Sequence, residues 1–369
     1  MAALLVDGAL EDLFIDPSGN GLALAPGAIY RARVARPAKG LGGAFLDMGG
    51  ERGYLRQADS LSPRGLLDVQ IAAHAEPGKA VPVSTRIALR SRYAVATPGA
   101  AGIGIARSLR DPHQIRRLTA LAEAAWPAAS QTGLILRSEA AAATEDALRS
   151  ALAALALRVA ALRNGPNEPG LLEAAPDAPM RAACDWGAAQ RLVCADQAEA
   201  DARAPIDLHA AIDGLSRPRL DLAGGAFLFI EPTRAFVAVD INTGGDFSPA
   251  AGLSATIAAL RALPRALRLR GLGGKIVIDP ARSAKKDRSA IETALRAALR
   301  SCPVETSLAG WSPLGHIELN RKRVRQPLLD LLPMGLPTGF QTGRQSGPQS
   351  GPQSGPQSGP QTELKSGLP

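Results

Sequence analysis

The chain has 369 residues, a formal net charge of +8 and three cysteines. So few cysteines exclude a disulfide-stapled secreted module and fit a reducing compartment, and no apolar run is long and uncharged enough to span a membrane. The length allows two or three domains, packed mainly by aliphatic side chains because aromatics make up only 4%.

The positive excess points to a polyanionic partner. Seven of the 42 basic residues are lysine and the rest arginine, the side chain that grips phosphate with two parallel hydrogen bonds. Base composition of the genome would also enrich alanine and arginine, so charge alone does not decide.

Met1–Leu10 is apolar but short and lacks a basic start, which makes it a poor signal peptide. From Gly27 to Leu55 the chain reads GAIYRARVARPAKGLGGAFLDMGGERGYL. Residues 29–35 alternate, Gly40, Gly42 and Gly43 turn, residues 44–48 form a second strand, and a third begins at Gly53. Short strands between glycine turns predict a small antiparallel barrel. Val81–Leu89 and Arg92–Gly99 are further β-rich pieces.

Helices follow. Asp111-Pro112 is a start signal, with Ile115, Leu118, Leu121 and Ala122 at helical spacing. The strand GLILR covers Gly133–Arg137. A helix runs from about Thr144 to Leu162, with Glu145 and Asp146 in its first turn. Residues 164–179 carry Gly, Asn and four prolines and read as a loop, and another helix covers about Ile206–Gly214.

AFVAVDIN (Ala235–Asn242) and KIVID (Lys275–Asp279) are apolar runs that end in polar residues. Thr243–Gly274 between them is long enough for a helical crossover, with Leu253, Ile257, Leu260 and Leu263 as its apolar stripe. That predicts parallel strands with Asp240 and Asp279 at the same end, where ligands bind in such sheets. Two converging carboxylates suit magnesium, which binds one or two of them and keeps several waters. Asn242, two residues on, shares the face of Asp240. The competing reading is that these acids cap the turns that follow them. Three basic clusters flank the strands: Arg265, Arg268 and Arg270; Lys285, Lys286 and Arg288; and Arg321, Lys322, Arg323 and Arg325. They would hold a phosphate backbone, unless they are solvated faces. From Gln345 to Pro360 the unit QSGP repeats four times, a composition that cannot bury a core.

Six segments in order carry a family resemblance: GAIYRARV with GGAFLDMGGERGYL, GLILRSEAA, VDINTGG, LRLRGLGGKIVID and GWSPLGHIELNRKRVRQ. Up to about Leu328 the chain resembles the catalytic half of the ribonuclease E/G family. The resemblance implies an α+β chain of several subdomains. An OB-fold β-barrel RNA-binding module is joined to a DNase I-like and RNase H-like α/β catalytic region. The implied boundaries are 1–100 for a β-rich region with the OB-fold nested at about 27–90, and 101–165 for a 5′-sensor region. A reduced connector follows at 166–205, then the DNase I-like subdomain at 206–332 and a disordered tail at 333–369.

The resemblance further implies metal-dependent endonucleolytic cleavage of single-stranded RNA, favouring 5′-monophosphorylated ends, in RNA processing or decay in the cytoplasm. Asp240 and Asp279 fall on the metal aspartates and Asn242 on the catalytic asparagine, with Mg2+, or Mn2+ in its place, as cofactor. Arg137 and Ser138 fall on the 5′-phosphate sensor, with serine replacing threonine and Gly102 nearby. Phe45 and Tyr54 match aromatic positions that meet bases; for Phe45 the competing reading is a barrel-core residue. Arg268, Arg270, Arg321, Lys322 and Arg323 are the expected backbone contacts.

The chain departs from the family pattern in four places. Pro280, Ala281 and Arg282 replace a Phe-Ile-Asp run. Thr256 and Ala258 replace an Asn and a Glu, in a helix that Pro264 should kink. The connector is short. Cys184, Cys194 and Cys302 are scattered rather than forming the zinc-link pair, so no structural zinc is expected. A homodimer without a zinc link remains compatible, and a zinc-built tetramer is unsupported. A catalytically degenerate RNA-binding relative is the alternative to an active enzyme.

Overall fold

The computed structural model describes residues 1–19, 21–38, 40, 42–56, 65–76, 78–126, 132–186, 191–193 and 207–332, with only the backbone described for 191–193. The QSGP repeat and Cys194 lie outside these residues. Among the described residues, no helix is long and apolar enough to cross a membrane.

The apolar N-terminus forms a hairpin, which the sequence reading did not anticipate. Strands β1 (Ala2–Val6) and β2 (Ala9–Phe14) pair antiparallel across Asp7-Gly8. Both turn residues have positive φ, 49° and 74°, as a two-residue turn between twisted strands requires.

Strands β3 (Ile29–Ala38), β4 (Gly43–Asp47), β5 (Arg52–Arg56), β6 (Leu66–Ile71) and β7 (Val81–Ser84) follow. Pairing runs β3–β4–β5–β7–β6 and returns from β6 to β3, closing a five-stranded barrel consistent with an OB-fold. Alternation drives it. Ala32, Leu46, Met48, Leu55, Val69 and Val83 fill the interior while the intervening residues face out.

Strands β8 (Leu89–Arg90), β9 (Ala94–Pro98), β10 (Ile103–Ile105) and β11 (Thr132–Leu136) make a second sheet in the order β10-β11-β9-β8. Helix α1 (Pro112–Ala125) is capped by Asp111, which accepts from the His113 amide at 2.9 Å; α2 (Glu145–Arg163) is capped by Thr144. Leu118, Leu121, Leu148, Leu152, Leu155 and Val159 bury their faces together against this sheet. The stretch read as a loop after α2 contains β12 (Gly170–Glu173), which pairs with β3 of the barrel. Helix α3 (Ala178–Asp185) follows, then β13 (Arg191–Val193), which pairs with β1.

After α4 (Leu208–Ser216) come β14 (Arg219–Asp221), β15 (Phe227–Pro232), β16 (Val237–Asn242), α5 (Ala251–Leu269), β17 (Gly274–Asp279), α6 (Arg288–Arg300), β18 (Thr306–Trp311), β19 (Ile317–Arg321) and the short α7 (Leu328–Leu331). The sheet order is β14-β15-β16-β17-β19-β18. β16 and β17 are parallel, joined by α5, as the apolar runs and their spacing require. Helices α5 and α6 cover one face, where Leu260, Leu263, Leu267, Ile291 and Leu295 pack on Val239, Ile276, Ile278 and Leu319. Each such side chain contributes about 1.5–3 kcal/mol by leaving water. Pro264 lies inside α5, and its carbonyl accepts from the Arg321 guanidinium at 3.4 Å.

Candidate functional site: a paired-carboxylate sheet edge

Period-two alternation gives the six-stranded sheet a second, open face. On β16 Val239 and Ile241 are buried while Asp240 is exposed; on β17 Ile276 and Ile278 are buried while Asp279 is exposed. Asp240 and Asp279 are direct cross-strand partners. Neighbouring strands lie about 4.8 Å apart, so the carboxylates can share one hard cation. The Asn242 amide donates to Asp240 Oδ2 at 2.9 Å, which orients that carboxylate. Among the described residues no cluster of three or more His, Cys, Asp or Glu is placed to hold a metal. A two-carboxylate, water-rich Mg2+ site is the form this donor set fits.

His316, which was not singled out from the sequence, joins this edge. Ile278 pairs with Ile317, so the preceding residue lies beside Asp279, and its Nε2 is 3.9 Å from Asp279 Oδ1. The signal was present in GHIEL, but the neighbour relation depends on β19 pairing with β17. Two glycines hold the loops around the acids. Gly244 has φ +67°, and a Cβ there would lie 2.1 Å from the Gly225 carbonyl oxygen. A Cβ on Gly252 would lie 1.8 Å from the Arg282 carbonyl oxygen, so α5 starts directly against the loop that follows Asp279. Arg282 is exposed, and Thr256 is fully buried with no hydrogen-bond partner for its hydroxyl among the described residues.

Arg137 and Ser138 close β11, but the Arg137 guanidinium is already engaged. Its Nη1 donates to the carbonyls of Ser91, Arg92 and Cys184, and its Nε is 3.7 Å from Glu139. Ser138 Oγ is 3.2 Å from Glu139 Oε2. Gly102 is not brought to this pair. Ile103 is opposite Leu134 and Ile105 opposite Leu136, which sets Gly102 about four residues, or roughly 13 Å, along the sheet from Arg137.

On the barrel, Phe45 sits half-buried on the outer face between the inward Ala44 and Leu46, so the barrel-core reading is corrected. It pairs directly with Tyr54, ring centroids 5.5 Å apart, and Arg36 lies over it at 4.9 Å.

The expected basic backbone contacts divide by burial. Arg268, Arg270 and Arg321 are 6%, 6% and 2% exposed and do not form a phosphate-facing surface. Arg268 donates to the Glu11 carbonyl at 2.7 Å and to the Glu11 carboxylate, and its Nε is 3.4 Å from Asp12. Arg270 donates to the Arg217 carbonyl, and burial pulls its pKa down to about 10. Arg321 reaches Thr306 Oγ1 at 2.8 Å and Cys302 Sγ at 3.5 Å. Arg268 and Arg321 take inward positions of α5 and β19, where they tie α5 to the hairpin and to the sheet, and Arg270 follows the last turn of α5. Lys322 is exposed and pairs with Glu305; Arg323 is half-buried and reaches Glu76 of the barrel at 2.6 Å.

Cys184 is buried, and burial raises its thiol pKa. For Cys302, burial pushes the same way, but Arg321 and Arg268 beside the sulfur bring the net pKa down. Cys302 is therefore a polar partner to arginine rather than an inert small hydrophobe.

A model of the ribonuclease E/G family matches residues 88–202 and 188–324. The chain is 27% identical to ribonuclease G of Salmonella typhimurium (strain SL1344) and to ribonuclease G of Escherichia coli (strain K12), in each case over 89% of this chain and 79% of the relative. It is 26% identical to ribonuclease E of Nostoc sp. (strain PCC 7120), over 90% of this chain and 55% of that relative, so it spans about half the length of the Nostoc protein.

Proposed function

The chain belongs to the ribonuclease E/G family and is an endoribonuclease of that family; we propose that it hydrolyses single-stranded RNA at the Asp240–Asp279 edge with the help of a divalent metal. The observation that carries this reading is the direct register of two exposed carboxylates on parallel strands, with Asn242 bonded to one of them. Asp240 and Asp279 would hold Mg2+, or Mn2+ in its place; when bound, the ion supplies charge neutralisation at a phosphodiester and acidifies a water. Asn242 fixes the Asp240 rotamer and has a second amide hydrogen for a phosphate oxygen. His316 lies where it can accept or return a proton next to Asp279. Gly244 and Gly252 keep the flanking loops close without a side chain in between.

The remaining assignments extend this reading. The barrel, in an OB-fold at about 27–90, presents Arg36, Phe45 and Tyr54 to RNA, with the cation for phosphate and the rings for bases. Arg137 and Ser138 of the 101–165 region read a 5′-monophosphate; carbonyl bonds to one guanidinium nitrogen hold the group in place and leave Nη2 for phosphate oxygens. The sheet of residues 206–332 is assigned to a DNase I-like subdomain, and 166–205 to a reduced RNase H-like connector. Action in RNA processing or decay in the cytoplasm, as a monomer or as a dimer without a zinc link, belongs to the same proposal.

One cleavage assay tests it. A 5′-monophosphorylated single-stranded oligomer is cut in Mg2+, Asp240→Asn and Asp279→Asn each lower cutting at least 100-fold while binding persists, and Arg137→Ala removes the preference over a 5′-hydroxyl end. Wild-type protein that binds several RNAs but cuts none in Mg2+ or Mn2+ overturns the catalytic reading in favour of RNA binding alone. Equal rates on both 5′ ends overturn the sensor.

A further inference from the structure

The open face of the six-stranded sheet carries one feature that the acid edge does not use. Phe227 and Phe229 occupy alternate positions on β15, on the side away from the core, and both are half-buried. Neither belongs to the hydrophobic cluster under α5 and α6, which takes Leu228 and Ile230 from the same strand. The same face carries exposed charged residues, Glu231, Asp240, Lys275, Asp279 and Glu318, and the half-buried Asn242, Ala238 and Val277. The rings meet edge to face, centroids 5.7 Å apart at 86°. Arg219 of β14 lays its guanidinium over Phe227 at 3.8 Å while pairing with Asp221 at 2.8 Å.

Register ties the pair to the carboxylates. Phe229 is the direct cross-strand partner of Asp240, and Phe227 that of Asn242. The strands that carry Phe229 and Asp240 are therefore one spacing, about 4.8 Å, apart at this register. That is within the span of one nucleotide. Two half-buried rings on a largely polar sheet face lie outside the core cluster and keep part of their apolar surface in water. They gain most from a flat, π-faced ligand carried by a polyanion held at the neighbouring acids.

We infer that Phe229, backed by Phe227 and Arg219, is a stacking platform for the nucleobase adjoining the phosphate at Asp240. Resting on the reading of Asp240 and Asp279 as the cleavage edge, it makes Phe229 a substrate-positioning residue. Stacking accepts any base, because each has a π-face. The platform would therefore position the strand and favour larger bases rather than read a sequence.

The test uses the full chain and single-stranded oligomers with 2-aminopurine at successive positions around the cut bond. Binding to Asp240→Asn, which separates binding from cutting, quenches the fluorophore most at one position beside that bond. Phe229→Ala removes that quench and weakens binding about 5- to 150-fold, the equivalent of one stacked base. Phe229→Ile, which keeps an apolar β-former in the strand, does the same, and Phe229→Trp restores both. An abasic residue at that position costs the Phe229 wild type a similar factor and costs Phe229→Ile nothing further. The inference is overturned if folded Phe229→Ile retains the quench and the affinity, or if the abasic penalty is equal in both proteins. Failure of wild-type protein to cut any oligomer refutes the cleavage edge instead, and the quench still reads the platform.

Discussion

Replacing Arg268 separates two uses of an arginine, holding the fold and holding RNA. Arg268→Met keeps most of the stem and removes the guanidinium from a site where Arg268 and Asp12 are both 6% exposed at the side chain. The lost bonds are those to the Glu11 carbonyl and carboxylate and to Cys302 Sγ, with the nearby charge of Asp12. Breaking a buried pair typically costs about 3–5 kcal/mol. Asp12 keeps two bonds from Arg325 and one from the Trp186 indole, which puts the expected loss near the low end, at about 3 kcal/mol. Urea unfolding measures that loss. RNA affinity as a function of salt measures the other role, because each single-strand phosphate contact adds about 0.7 to the log–log slope. Arg268→Met should leave the slope unchanged. Arg36→Met, at an exposed residue over Phe45, should lower the slope by about 0.7 with little change in stability. A slope lowered by about 0.7 in Arg268→Met at wild-type stability would refute the burial argument.

Two further predictions concern the site's support and the fold's response to pH. Gly252→Ala forces α5 and the loop after Asp279 apart, because the new methyl would stand 1.8 Å from the Arg282 carbonyl oxygen; it should cost about 1–3 kcal/mol in urea unfolding and lower kcat by about 100-fold, and wild-type turnover would show that this contact does not place Asp279. His74 lines a cavity of about 60 Å³ with Phe14, Arg181 and Arg325, and its amide donates to the Arg323 carbonyl at 3.0 Å. Burial, aided by the charge of Arg181, lowers its pKa to about 4. The folded state thus resists a proton that the unfolded chain takes up below about pH 6.5. His74's contribution is intact above that pH and is lost as pH falls towards 4, by about 2 kcal/mol between pH 7 and 5. His74→Gln should abolish that part of the pH dependence, and an identical dependence in the variant would refute it.

The sequence by itself determined the elements whose signals are local. Asp111-Pro112 and Thr144 begin helices because capping is settled within four residues. Alternation from Ile29 to Tyr54 made barrel strands. Two apolar runs separated by a helical stripe made a βαβ unit, and right there Asp240 and Asp279 became neighbours. Family resemblance named the chemistry from the same segments.

Only the tertiary structure decided which strands close the barrel, that Met1–Leu10 belongs to a hairpin, and that Gly102 lies a strand's length from Arg137. It also set which cations face water: a basic run looks alike whether its guanidinium meets a phosphate or Glu11 and Asp12 some 257 residues away in sequence. His316 beside Asp279, and Phe229 beside Asp240, follow from strand register alone. Periodicity and capping are short-range and written in the chain, whereas burial and cross-strand pairing are fixed only when distant segments pack.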